Sequence, residues 1–361
     1  LLFTSSITND LFNLFRKILF RVKGGLGMAT VCASAMFAAA SGSSIANTAT
    51  MGVVASNEMK KSGYHQSLIS GSVLAGGTLG ILIPPSTIFV IYGILAEQSI
   101  GKLLIAGIIP GLILCTLYLI TIYIWVKLRP NLIIEKEVES TEDYSFSYAS
   151  IFWISFLFVV VVFGMFFGLF SPTEAAAVGA FLALLITFIK RKFTWKVFMK
   201  SLTNTIRTTG FIFAIMLGGS VLNYFMGLSR LPIKIAEIIS SLTIHPFVIL
   251  SLIILMYIIL GMFMDSISMI VITMPIVIPI ITLLGYDLIW FGVMIVLLVE
   301  LSMLTPPVGV MSYVLKGAVP ELKLPNIFKG VAVITIPLLV MITLIIFVPE
   351  ITAILTNYMD R

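Results

Sequence analysis

The sequence predicts a polytopic α-helical membrane protein folded as two inverted repeats, and three observations carry that expectation. First, 59% of the 361 residues are hydrophobic and only 11% are charged. Soluble domains carry about 25% charged residues, so this composition cannot make a water-facing surface; the mean hydropathy is +1.14. Second, the apolar residues lie in continuous runs of about 20 or more, the length that crosses a bilayer core of about 30 Å. Lipid leaves backbone polar groups without partners, so the spans are helices or a closed barrel, and unbroken rather than alternating runs exclude the barrel. Third, a polar interruption and a proline pair recur in two segments at one spacing.

The elements follow in order. Residues about 26–57 are apolar, interrupted by Ser41-Gly42-Ser43-Ser44, and flanked by Arg16, Lys17, Arg21 and Lys23 on one side and Lys60 and Lys61 on the other. Basic flanks belong in the cytoplasm, so the segment leaves and returns on one side as a re-entrant hairpin. Limbs of about 14 residues rise about 21 Å and place the tip deep in the membrane. Residues about 66–96 cross outward and break at Pro84-Pro85, and about 103–126 return to Lys127 and Arg129. A polar linker, 131–148, stays cytoplasmic. Residues about 149–170 cross outward, 174–189 return to Lys190-Arg191-Lys192, and 207–226 cross outward. Residues about 246–284, without a basic cluster at either end, form a second hairpin opening to the outer side. Residues about 288–317 return through Pro306-Pro307, and about 330–348 form the last span. This trace leaves only Lys102, Arg230, Lys234 and Arg361 of the 22 basic residues outside.

Ser43 precedes Pro84 by 41 residues, and Asp265 precedes Pro306 by 41. One hairpin opens inward and the other outward, so residues 1–130 and 149–361 read as repeats of opposite orientation. Inverted repeats with broken helices at mid-membrane are the architecture of secondary transporters. Ala149 precedes Asp265 by 116 residues whereas 42 residues precede Ser43, so matched halves would place about 70 further residues, about two helices, ahead of Leu1. The opening Leu1-Leu2-Phe3 also lacks a methionine or a signal-peptide pattern.

Several classes are excluded. Cys32 and Cys115 are isolated in apolar stretches, which rules out a disulfide framework or zinc site, and His65 and His245 are too far apart for a histidine cluster. No phosphate-binding GxxxxGK[ST] loop occurs. The net charge of +6 is spread over membrane loops rather than gathered for nucleic acid.

SGSSIANTATMG (41–52), AGGTLGILIPPS (75–86), SIGKLLIAGIIPG (99–111), SPTEAAAVGA (171–180), GMFMD (261–265) and LTPPVG (304–309) together resemble the large membrane subunit of TRAP transporters, the DctM type. The resemblance runs along nearly the whole chain. It implies an elevator-type, sodium-driven importer of organic acid anions in the bacterial cytoplasmic membrane. It also implies a small membrane subunit and a periplasmic substrate-binding protein as partners, two re-entrant hairpins, and no cofactor beyond Na⁺ as coupling ion.

Helix ends leave backbone groups unpaired, so exposed carbonyls at the tips and proline breaks suit Na⁺. Helix N-termini offer N–H groups and a positive dipole to a carboxylate. Na⁺ is expected on Ser41, Gly42, Ser43, Gly80, Ile83 and Pro84 in one repeat, and on Gly261, Met264, Asp265, Thr305, Pro307 and Gly309 in the other. The anion is expected on Ser43, Ser44, Asn47, Thr78, Ser86 and Thr305, since no span contains Lys or Arg away from its ends. Asp265, a mid-membrane carboxylate, is a cation ligand, a proton carrier or a structural hydrogen-bonding residue. Glu300 reads first as a structural partner and second as an ion ligand. Glu174 after Ser171-Pro172-Thr173 marks a helix start. Two rivals stay open. A stand-alone inverted-repeat Na⁺/anion transporter would need no binding protein. An intramembrane enzyme would need a second mid-span aspartate, or a base beside Ser43.

Overall fold

The computed structural model describes residues 7–134, 148–241 and 244–359. The expected linker falls mostly outside them. Among the described residues the chain is helical, with no strand beyond an isolated bridge between Tyr64 and Ile133.

An amphipathic helix α1 (Ile7–Leu19) buries Leu11 and Phe12 and packs on the first hairpin. That hairpin is α2 (Gly25–Ser41) and α3 (Ser44–Lys61), joined through Gly42 and Ser43. Its limbs are antiparallel: the Leu26 N–H at the start of α2 donates to the Tyr64 hydroxyl just beyond α3, at 3.4 Å. Arg16 ahead of α2 pairs with Glu58 near the end of α3 at 2.7 Å. The next span is broken as expected, into α4 (Gln66–Leu82) and α5 (Thr87–Leu95), followed by α6 (Ile100–Ala106) and α7 (Ile108–Leu128).

The second half begins with α8 (Tyr148–Phe166) and α9 (Pro172–Ile189). Ser171 and Glu174 form a reciprocal capping box at the start of α9, the device that satisfies two orphan N–H groups at once. Next come α10 (Trp195–Ser229) and α11 (Leu231–Ser241), then the second hairpin, α12 (Pro246–Gly261) and α13 (Ser266–Leu283). Its limbs are tied by the Tyr257 and Thr273 hydroxyls at 2.6 Å. The second broken span is α14 (Leu288–Leu304) and α15 (Val310–Ala318); α16 (Leu324–Phe347), α17 (Glu350–Ala353) and α18 (Thr356–Met359) close the chain.

Two segments differ from the sequence reading. The span expected at 207–226 starts at Trp195, because the Thr194 hydroxyl caps the Val197 N–H and the intervening Lys and Arg residues are good helix formers. The outer loop expected before 246 contains α11.

The core is built on the first limbs of the two broken spans. Every residue from Ser67 to Leu82 on α4, and from Trp290 to Leu304 on α14, is buried. The two helices touch each other, with α2, α3, α7 and α16 around α4, and α12 and α16 on α14. Small residues make the crowding possible: a methyl on Gly330 of α16 would meet the Ser67 carbonyl oxygen of α4 at 2.6 Å. The helices start alike, His65 capping α4 through the Ser67 N–H and Asp287 capping α14 through the Trp290 N–H. Among the described residues, six helical stretches are long and apolar enough to cross a membrane: Gln66–Leu95, Ile100–Leu128, Pro172–Ile189, Trp195–Ser229, Ser266–Leu283 and Leu324–Phe347. The chain is a multi-pass membrane protein.

Candidate functional site

The tip of the first hairpin is two residues long because each residue performs one task. Gly42 ends α2 with φ +60°, a left-handed conformation that glycine adopts without a Cβ penalty. Ser43 is extended and caps α3, its hydroxyl accepting from the Ala46 N–H at 3.3 Å. The break between α4 and α5 lies directly against this tip. A methyl on Gly80 would stand 2.9 Å from the Ser43 carbonyl oxygen, and one on Gly42 would stand 2.8 Å from the Pro85 carbonyl oxygen. The Thr87 hydroxyl donates to the Gly42 carbonyl at 3.4 Å. Ile83 is the extended residue that ends α4, and Ser86 caps α5 by accepting from the Phe89 N–H. Ser41, Gly42, Ser43, Ser44, Gly80, Ile83, Pro84 and Ser86 thus come from two separate stretches of sequence to one tip and break.

The second half of the chain makes a comparable arrangement. Asp265 caps α13, one carboxylate oxygen accepting from the Ile267 and Ser268 N–H groups at 3.1 Å each. Gly261 abuts Ser302, and the Ser266 hydroxyl donates to the Met303 sulfur at 3.0 Å. Thr305 ends α14, its hydroxyl donating to the Leu301 carbonyl at 2.5 Å. Gly309 starts α15 at φ +57°. Both proline pairs contain a cis peptide bond. Met262, Phe263, Met264 and Asp265 form a more open tip, Phe263 being 67% exposed.

A cavity of about 410 Å³ opens beside the first tip, within the range of about 300–1,000 Å³ typical of small-molecule sites. Ser41, Gly42 and the run Pro85-Ser86-Thr87 form one wall, and a stripe of small residues on α9, Ala175, Ala176, Gly179, Ala180 and Ala183, forms another. None of its lining residues is charged. The N-terminus of α5 at Thr87 reaches it, and its remaining orphan N–H groups and dipole favour an anion, whereas the start of α9 at Pro172 is already closed by the Ser171–Glu174 capping box. The Ser41 hydroxyl is buried without a hydrogen-bond partner, leaving one oxygen for a cation or a polar ligand.

Asn47 and Thr78 are elsewhere. The Asn47 amide donates to the Ser34 and Gly76 carbonyls at 3.1 Å each, clamping α3 between α2 and α4. The Thr78 hydroxyl lies 2.8 Å from the Tyr118 hydroxyl and donates to the Ala75 carbonyl at 2.8 Å. Both are fully buried and neither lines the cavity.

One of the contacts between the two halves of the chain lies beside the first tip. The Ser44 hydroxyl, at the first residue of α3, donates to the carboxylate of Glu300 on α14, and both residues are wholly buried. The α9 stripe was legible in the sequence only as a helix start with small residues; its partner across the cavity was not.

The family model of the tripartite ATP-independent periplasmic transporter, DctM component, matches residues 1–351. The sialic acid TRAP transporter large permease protein SiaM of Vibrio cholerae is 31% identical over 98% of this chain and 82% of its own length. The C4-dicarboxylate TRAP transporter large permease protein DctM of Pseudomonas aeruginosa is 32% identical over 99% of this chain and 83% of its own. The isethionate TRAP transporter permease protein DctMQ of Oleidesulfovibrio alaskensis is 32% identical over 96% of this chain, which covers 54% of that protein.

Proposed function

Since this chain belongs to the DctM family of tripartite ATP-independent periplasmic transporters, a family of transport subunits rather than enzymes, we propose that it is the translocating subunit of a Na⁺-coupled importer of an organic acid anion. The anion belongs to the chemical class named for its relatives: sialic acid, a C4-dicarboxylate or isethionate. It reaches the chain from a periplasmic binding protein, with a small membrane subunit alongside, in the bacterial cytoplasmic membrane.

The observation that carries the reading is the uncharged cavity between the first tip and α9. An anion there meets the N-terminus of α5 and hydroxyls instead of a buried basic side chain. A Na⁺ held by Ser41, Gly42, Ser43 and the Gly80–Pro84 turn would supply the largest local positive charge, and the anion's affinity would then depend on the cation. Gly261, Met264, Asp265, Thr305, Pro307 and Gly309 would hold a second Na⁺ in the other repeat. In this reading the first hairpin opens to the cytoplasm and the second to the periplasm. The hairpins and broken helices move as one block against α8 and α9, so the cavity wall itself is the sliding surface. Alternating access by rigid-body movement is the general scheme for inverted repeats.

Uptake into proteoliposomes tests this. With the small subunit and the binding protein present, an inward Na⁺ gradient should drive accumulation of one of the three anions. Accumulation by this chain alone would replace the reading with a stand-alone Na⁺/anion transporter. Accumulation indifferent to Na⁺ would remove the coupling ion.

A further inference from the structure

We propose that Glu300 supplies the negative charge that balances a monovalent cation at the tip of the first hairpin, and that it does so across the two repeats through Ser44. The inference rests on the Na⁺-coupled reading above and adds a residue to it.

Glu300 is fully buried in the middle of α14. One carboxylate oxygen accepts the Ser44 hydroxyl; the other has no hydrogen-bond partner. No basic side chain forms an ion pair with it among the described residues. A buried carboxylate held by a single neutral donor is costly unless a cation completes it or a proton neutralises it, and the Na⁺ response of Glu300→Gln separates the two.

Packing does not require an acid at this position. The register that pairs Ser43 with Asp265 and Pro84 with Pro306 also pairs Ser44 with Ser266 and Thr78 with Glu300. At the equivalent place in the first repeat, Thr78 satisfies itself with the Ala75 carbonyl and the Tyr118 hydroxyl. Ser266, the counterpart of Ser44, donates to a methionine sulfur rather than to an acid from the opposite repeat. A neutral hydroxyl therefore serves this register, and what Glu300 adds is charge, held on Ser44, the chain neighbour of Ser43.

The tip has oxygens but no charge of its own. The Gly42 carbonyl, the Ser43 hydroxyl and the partnerless Ser41 hydroxyl are neutral. Neutral oxygens coordinate a cation but leave its charge uncompensated in a low-dielectric interior. The open second tip carries Asp265 within itself; the closed first tip has only serines and glycine and takes its acid from α14. Glu300 is thus a positioning residue: it holds Ser44, and through it the first turn of α3, while its charge favours an occupied tip.

The test uses purified protein and two readouts, the melting temperature titrated with NaCl against choline chloride, and the Na⁺ midpoint of uptake. Glu300→Gln keeps the volume and an acceptor for Ser44 but removes the charge. Without Na⁺ it should melt no lower than the parent, and its Na⁺ midpoint should rise at least about tenfold in both readouts. Glu300→Asp keeps the charge and should hold the midpoint within about threefold of the parent; it also serves where the glutamine variant fails to fold. A parental Na⁺ midpoint in Glu300→Gln, or equal shifts in both variants, overturns the inference while leaving Na⁺ coupling intact. A parent protein with no Na⁺ response in either readout overturns the coupling itself and this inference with it.

Discussion

Ser43 and Asp265 perform the same task in the two halves of the chain: each caps the second limb of a helical hairpin, and each stands in a tip that rests on a proline-broken helix. Ser43 accepts from the Ala46 N–H, Asp265 from the Ile267 and Ser268 N–H groups. A serine or aspartate at an N-cap satisfies orphan donors that the membrane interior would otherwise leave unpaired. The same residue can therefore terminate a helix and present an oxygen at the site.

The close packing of the first tip makes Gly80 its most sensitive neighbour. A methyl there would meet the Ser43 carbonyl oxygen and the Ser44 Cα, each at 2.9 Å, and these are backbone atoms that cannot rotate aside. Gly80→Ala should cost about 1–3 kcal/mol of stability and remove most uptake, because the tip must shift. A methyl on Gly210 of α10 would have nothing within 4 Å, so Gly210→Ala should melt no lower than the parent. Melting and uptake of the two variants check this; an active, fully stable Gly80→Ala would detach the break from the site.

Much of this arrangement was legible in the sequence. Proline pairs lack two ladder donors and small polar runs cannot continue an apolar helix, so Pro84-Pro85, Pro306-Pro307 and the Ser41–Ser44 tip mark breaks by local chemistry alone. The Ser171-Pro172-Thr173-Glu174 start of α9 was legible for the same reason. The contact between Ser44 and Glu300 was not, because it joins residues on different repeats and no local pattern pairs them. The places of Asn47 and Thr78 were hidden similarly. Their residue types suit a ligand as well as a helix clamp, and only packing places Asn47 against Ser34 and Gly76.

The cavity wall on α9 offers a test of the substrate path. Ala176 lies on the cavity and is otherwise exposed, so a larger side chain there fills space rather than displacing core. Ala176→Phe should abolish uptake while shifting stability by no more than about 0.5 kcal/mol, the usual range for a surface change. Full uptake with a phenyl ring in place would mean that the anion travels elsewhere.

Orientation can be read at the mouth of the first hairpin. Gly63 is unsuited to a labelling cysteine, since its φ is +75° and a methyl would run into the Ile134 carbonyl. Lys61 is better: its side chain is 76% exposed, and a surface pair such as the one it forms with Glu58 contributes little. In a background with Cys32 and Cys115 replaced, Lys61→Cys should react with an impermeant maleimide only in inverted vesicles. Reaction in intact cells would reverse the orientation of both hairpins.

Asp265→Asn separates the remaining roles of the second tip. Asparagine caps a helix about as well as aspartate, and the two N–H groups that Asp265 serves would keep an acceptor, so the variant should insert and melt like the parent. What it loses is the charge. If Asp265 helps hold Na⁺, the Na⁺ midpoint of uptake should rise with melting unchanged, because an amide oxygen is a weaker ligand than a carboxylate for a hard cation. If Asp265 serves only as a cap, both the midpoint and the melting temperature should stay where they are. A variant with lower yield and a lower melting temperature, but a normal Na⁺ response in the surviving protein, would make Asp265 a structural residue whose second oxygen matters to folding. A Na⁺ titration of uptake on purified protein, with melting recorded on the same sample, distinguishes the three, and an unmoved midpoint removes Asp265 from the ion site.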